Sequence, residues 1–598
     1  MNYPKLRVLN TQRQMVDTFK GYNHNLRIGE GEFYEMENMT SDYAPILAPR
    51  GKRGKYLSVP CRGIISKDAL CFVYENTLEM HGSLGAFSLE LPLTDSPKQL
   101  ISMGAYIIIL PDKLYVNTTD TEDWGYIEAK FSSSSTQDGH DVTFQLCDII
   151  GDVYEDATVS ATAPNEPADN ALWIDTSSTP HALKKYTKTS EMWVAIPTTY
   201  IKISCPGINQ GFEQYDGVTI SGILDESLQS LNGSHAIQGI GEGYIVVTGI
   251  LDEVTTQTAA DGAVTVERKM PDMDFVIESE NRLWGCKYNR DTVFGKKAIN
   301  EIYASKLGDF KNWNCFMGLS TDSYVASCGS DGPFTGAITH MGHPLFFKEH
   351  CVHKVYGNYP ANFQVQTTAC RGVQEGCHKS LAIVNETLFY KSRGGVCAFD
   401  GSFPTEVSYA LGNEQYSDAV AGGHKNKYYI SMQEKDNFGA WHLFVYDVAK
   451  GMWHREDNFH ADDFCSWRGE IYAIDHDTGH IITMLGSPGF WDWEKGEDQV
   501  KWMVQTGLIG TDMPDMKYIS NLVVRLSPSK GAVVRFWVQY DSMGGWEHIH
   551  TVTCRSLRSL AIPLKPRRCD HLRLKIEGEG DVRIHSITKT IEQGSDVS

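Results

Sequence analysis

The side chains that could do chemistry lie in a few places. His340, His343, His350, Cys351 and His353 are of the types that ligate zinc. Their spacing matches no zinc module, and on a strand His350 and Cys351 would point to opposite faces. A hairpin with hydrogen-bonded histidines is the expectation. Asp475-His-Asp-Thr-Gly479 opens like a calcium loop. An EF-hand needs glycine at its sixth position and a bidentate acid at its twelfth. Those positions hold His480 and Gly486, so an Asp-rich turn is expected. Gly239-Ile-Gly-Glu-Gly243 opens no helix, which removes a dinucleotide fingerprint. There is no GxSxG motif, and Ser327-Cys-Gly-Ser330 is close to His340 and His343 in sequence alone. Trp284, Trp313, Trp441, Trp453 and Trp467 could stack on sugars, yet at repeat-periodic positions they are expected to pack inside. No catalytic, cofactor-binding or metal residue is assigned, no cofactor is called for, and the chain reads as a non-enzyme.

The elements that would position these residues are strands. Apolar alternation dominates, and helical periodicity is scarce. Examples are Leu70-Cys-Phe-Val-Tyr74, Tyr106-Ile-Ile-Ile-Leu110 and Val533 to Tyr540. The best helix candidate is short, Asp225 to Leu231. A unit recurs in which one strand, a turn and a second strand end in Tyr-Asp or Phe-Asp, with Gly and Trp following. Its instances are Ala69–His81, Ala105–Asn117, Asp274–Trp313, His343–Gly357, Glu386–Gly401, Lys427–Trp453 and Glu470–Ile482. A single four-stranded unit cannot bury both faces, whereas a closed ring of such units buries them against one another. The fold class expected is all-β: a β-propeller of six to eight blades, seven favoured at about 43 residues each. The propeller takes residues 61–130 and 271–500, with 1–60 an N-terminal extended segment. Residues 131–270 open with a serine run, Ser132 to Ser135, that reads as a linker, and they hold inserted small β modules. Residues 501–598 form a C-terminal β-sandwich.

Composition narrows the function classes. The chain has 598 residues and a net charge of −21, which argues against a nucleic-acid coat or a membrane-surface binder. Met1 to Asn10 carries Lys5 and Arg7 with no apolar stretch after it, so no secretory leader is expected. No apolar run approaches the ~20 residues of a membrane span. Fourteen cysteines without a CxxC pair read as free, mostly buried thiols of a reducing compartment.

Three segments resemble propeller proteins of tailed-bacteriophage tails, of the tail nozzle and tail hub kind. The first is Phe19-Lys-Gly-Tyr-Asn-His-Asn-Leu26 with Gly31-Glu-Phe33, Glu37-Asn38 and Pro45-Ile-Leu-Ala-Pro-Arg-Gly51. The second is Asn281-Arg-Leu-Trp-Gly285 with Ile302 to Trp313. The third is Gly578-Glu-Gly580, Ile584-His-Ser-Ile587 and Glu592 to Val597. The resemblance implies a structural virion protein, a homohexameric ring of the tail through which the genome is delivered. Its partners would be adaptor, tail-tip or fibre proteins, and genomic DNA would pass without specific binding. Its place would be the virion tail, after assembly in the host cytoplasm and with no stable membrane insertion. The large insertion departs from the simple nozzle pattern. The alternative from another class is a host-surface glycan-binding or glycan-cleaving propeller, an adhesin or depolymerase.

Overall fold

The computed structural model describes residues 11–83, 85–134, 140–292, 295–491, 493–513, 516–553, 556–565 and 567–593. Met1 to Asn10, Ser135 and Gly594 to Val597, which entered the sequence reading, lie outside the described residues. Among the described residues the regular elements are strands and four short 3₁₀ turns. The helix candidate is one of these turns, Glu226–Leu231, with the Asp225 carboxylate accepting from the Ser227 N–H. Six residues cannot support an isolated α-helix.

The chain is an all-β propeller with seven blades. Each blade is a four-stranded antiparallel sheet, in the order blade one (61–90), two (99–126), three (275–327), four (336–369), five (382–406) and six (416–455). Blade seven has Ala461–Trp467, Glu470–Asp475 and Ile481–Thr483. Its outermost strand is Gly54–Leu57, from the far end of the chain. That strand belongs to the propeller and not, as expected from sequence, to an extended N-terminal segment 1–60. A short outer strand shows little alternation of its own, and its partner lies more than 400 residues away. The innermost strands of blades one to four touch in succession, as do those of blades five to seven. The turn His378–Ser380 lies against the innermost strands of blades four and six, and the ring closes where Ala461–Trp467 meets Cys61–Lys67.

Apolar faces are buried between blades. Phe72, Ile64 and Tyr472 pack where blades seven and one meet, Val73 and Ile107 between one and two, and Ile108 and Leu283 between two and three. Blades four to six instead share one continuous cluster with the C-terminal sandwich, including Phe347, Phe389, Phe444, Val524 and Phe536. The central sandwich strands alternate strictly, as in Val533–Tyr540 and Leu572–Glu579, where every second side chain is buried.

The propeller and sandwich are joined through backbone. Gly21–Tyr22 pairs with blade six at Trp453 and with Glu32–Glu37, which pairs with Lys501–Thr506 of the sandwich. One sheet of ten strands results. Gly21 has φ +87°, and a Cβ there would sit 2.4 Å from the Trp453 carbonyl oxygen, so only glycine fits.

Residues 129–268 build three further sheets with a core of their own, including Phe144, Ile203, Val218, Leu228 and Val247. The serine run is not a free linker where it is described. Ser132 ends a strand paired with Thr265, and buried Ser133 accepts the Val264 N–H at 3.0 Å. Strand pairing here overrides a composition that is polar only in its side chains. The insertion docks on blade three through polar groups. The Asn312 amide donates to Asp216 at 3.0 Å, its Oδ1 accepts the Gly217 N–H at 2.7 Å, and Asp216 pairs with buried Arg268.

Candidate functional site on blades six and seven

The histidines around residue 350 do not converge. Nε2 of His340 lies 2.7 Å from the Glu386 carbonyl, Nδ1 of His343 lies 3.1 Å from the Val355 carbonyl, and His350 is exposed. His353 is fully buried, 2.8 Å from Ser330 Oγ through Nε2 and 2.9 Å from Thr367 Oγ1 through Nδ1. The structure thus unites Ser330 with His353, not with His340 or His343. This has the outline of a nucleophile and base. Yet burial, and then nearby Lys348, push the His353 imidazole down to about 4, and the third member is a neutral hydroxyl. A base that weak at neutral pH, with no carboxylate to stabilise its protonated form, is poorly suited to activate a serine.

The glycines 239–243 form a strand end and a turn in the insertion, with Gly243 at φ +73°. Of the five tryptophans, Trp284, Trp313 and Trp453 are buried. The indole N–H of Trp313 donates to the Phe310 carbonyl and that of Trp453 to Val407. Trp467 is half-buried under the Arg468 guanidinium. Trp441 alone leads to a cluster of donor side chains.

That cluster is built from the blade repeat. Each blade has a leading edge, where its innermost strand begins and its second strand ends. In blade seven Ala461 pairs with Asp475, so His460 and His476 flank the pair, and the His476 N–H donates to the His460 carbonyl at 3.0 Å. The register slips between Ala461 and Asp463, which makes Asp462 the extra residue of a β-bulge. Bulges re-aim side chains, and Asp462 Oδ1 sits 2.7 Å from His476 Nδ1. The inner strands of blades one and six slip at the same end, near Arg62 and Asp418. Trp441, at the leading edge of blade six, stacks on His460 with centroids 3.5 Å apart, and His460 stacks on His476 at 3.8 Å. Burial, and then the neighbouring His476, hold His460 below the ordinary histidine range. Beside them the Lys379 ammonium donates to the Asp462 carbonyl at 2.8 Å and reaches the Asp463 carboxylate at 3.4 Å. Burial still pushes Asp463 up.

Ligand atoms from His460, Asp462 and His476 all lie within 4.8 Å of one another. Two imidazoles and a carboxylate can bind a divalent transition metal or pass a proton. The sequence reading considered His476 only as part of a calcium-type turn. Residues 475–479 do form a tight turn, with the Gly479 N–H on the Asp475 carbonyl. The signal that was present, His-Ala-Asp at 460–462 with a histidine at 476, becomes legible only with the hairpin register and its bulge.

No protein-family model matches the chain, and no curated protein sequence matches it. Solved structures do. An exo-β-1,3-galactanase from Phanerochaete chrysosporium with galactose aligns over 52% of this chain and 94% of its own, at 8% identity and a TM-score of 0.20. A Trypanosoma rangeli sialidase in complex with 2,3-difluorosialic acid aligns over 98% and 96%, at 9% identity and a TM-score of 0.21. Likenesses this slight carry nothing about activity.

Proposed function

We propose that the chain is a structural, non-enzymatic component of a bacteriophage tail. In this reading six copies form a ring of the nozzle or hub kind, contacting adaptor, tip or fibre proteins. The genome passes along the axis between chains. The observation that carries the reading is where the residues of the resemblance lie: they hold the joints of the molecule. Phe19 and Phe33 stack at 5.8 Å inside the shared cluster, and Gly21 and Tyr22 cross from blade six toward the sandwich. Asn38 donates to the Lys501 carbonyl and accepts from Arg50, which grips Glu497 with two hydrogen bonds of 2.7 and 2.8 Å. In the second segment buried Arg282 donates to the carbonyls of Ser305, Ser320 and Asp322 and so pins the long loop of blade three. In the third, Gly578 leaves room for Trp502, and Ile584 bonds reciprocally with Leu47. Residues spent on rigid joints suit a load-carrying part. A heterologous interface that closes on itself gives the ring, and the charge of −21 per chain disfavours adhesion of a polyanion to its axis.

The test is light scattering and electron microscopy of the purified full chain and of virions that contain it. A ring of six with a central channel is expected. A strict monomer in concentrated solution and in the particle overturns the ring, and turnover of host polysaccharide would favour the glycan-cleaving alternative.

A further inference from the structure

We propose that His460, Asp462 and His476 form a binding site for a divalent transition-metal ion of the zinc type. The inference is independent of the ring reading. Two imidazoles are borderline donors, and with one hard carboxylate beside them the set suits zinc, nickel or copper rather than calcium or magnesium, which take all-oxygen ligands. Three protein ligands leave a fourth, tetrahedral position to water.

The backbone has already brought the donors together. The His476 N–H to His460 carbonyl bond sets the two histidines side by side, and the bulge turns Asp462 toward them. Among the described residues, the Asp462 carboxylate has one polar partner, His476 Nδ1, and neither ring nitrogen of His460 has a hydrogen-bond partner. Trp441 holds the His460 ring from its other side. The Lys379 ammonium is engaged by the Asp462 carbonyl and Asp463, which leaves the Asp462 carboxylate to the ion.

Binding asks for a side-chain rotation. Metal–nitrogen and metal–oxygen distances of about 2.0–2.2 Å need a wider gap than a hydrogen bond between Nδ1 and Oδ1. That gap is now 2.7 Å. The imidazoles are stacked with a tilt of only 26°, so His476, about half exposed, has to turn out of the stack about its side-chain bonds to bring its lone pair to the ion. Coordination through Nδ1 places the ring proton of His476 on Nε2. The ion would then tie the connection from blade six, the innermost strand of blade seven and that blade's outer turn. These belong to the blade that closes the ring.

The experiment uses the full chain stripped with a chelator, then titrated with zinc chloride by calorimetry and with cobalt chloride by absorption. Wild type is expected to take up one ion more than the His476→Ala and His460→Ala/His476→Ala variants. Cobalt should give the intense visible bands of a tetrahedral site in wild type alone. Asp462→Asn should weaken zinc by roughly tenfold or more, as loss of a ligand charge requires. Zinc should raise the unfolding temperature of wild type and leave that of the double variant unmoved. His476 lies on an exposed turn, so its variant tests binding without threatening the fold. Equal zinc stoichiometry and affinity in wild type and the double variant overturns the site, as does a wild type that takes up no zinc.

Discussion

The strap of residues 11–57 and the insertion of residues 129–268 are both attached to the propeller, but by different physics. The strap joins through backbone: its strands enter blade six, blade seven and both sheets of the sandwich. Its apolar side chains also dissolve into the cluster shared by blades four to six and the sandwich. The insertion meets blade three through Asp216 and Asn312, with Arg268 bracing Asp216 from within the insertion, and its apolar cluster stays separate. Each joint centres on a buried asparagine or its neighbour, Asn38 with Arg50 in one and Asn312 with Asp216 in the other. A shared core and a continuous sheet couple two parts into one cooperative unit, whereas a polar joint between complete cores leaves each able to open alone. The propeller and sandwich should therefore unfold together, and the insertion on its own.

The sharpest way to break this comparison is Gly21→Val. A side chain is strained at φ +87° and would strike the Trp453 carbonyl. A loss of about 4 kcal/mol is expected, in the class of special-backbone substitutions. Calorimetry should show the propeller and sandwich falling together. A sandwich transition left at its wild-type temperature would mean that the two are separate.

Arg53→Ala comes next. Arg53 is buried and bridges Glu456 and Asp457, each at 2.7 Å. Burial pushes the Asp457 carboxyl up, but Arg53, helped by Arg50 and the Phe459 N–H, more than offsets it and holds the group below its ordinary range. Removing the cation leaves Glu456 and Asp457 to Arg50 alone, at 3.6 and 3.5 Å, and should cost about 3 kcal/mol of the main transition. The matching change in the other joint, Asn312→Ala, removes hydrogen bonds only. It should cost about 1–3 kcal/mol, read as faster proteolysis of the insertion with the main transition unmoved.

The smallest expected effect is with acid. Burial pushes His454, under the strap beside Gly21, down to about 3, and His353 down to about 4. Between those values and the ordinary histidine value of about 6.5 the unfolded chain binds more protons than the folded one. Stability therefore rises with pH through that window and is lost as pH falls through it. From pH 7 to pH 5 each histidine should cost about 1–2 kcal/mol. Both lie in the propeller, so the main transition should move toward that of the insertion. Glutamine at both positions should flatten the slope, and an unchanged slope would remove these two groups as its cause.

Much of this architecture is written locally. Tyr106-Ile-Ile-Ile-Leu110 is a buried second strand of blade two, and the Tyr-Asp end at Asp447 and the Ile-Asp end at Asp475 close blade strands. Repeats are readable because each blade solves the same burial problem with the same alternation. The donor cluster was not readable in the same way. His340 and His343 are near neighbours in sequence yet serve two different carbonyls, while His460 and His476, sixteen positions apart, stack.

By itself the sequence determined that the chain is all-β, that its strands repeat as blades, and that a sandwich-like alternation follows them. Those properties follow from the period of hydrophobicity, which acts over a few residues. Tertiary structure alone decided three others: that Gly54–Leu57 completes the seventh blade, that Asp216 finds Asn312, and that a bulge turns Asp462 to His476. In each case the partner is fixed by strand register and ring closure. Those are set by packing across the whole molecule, so no local pattern of residue types could announce them.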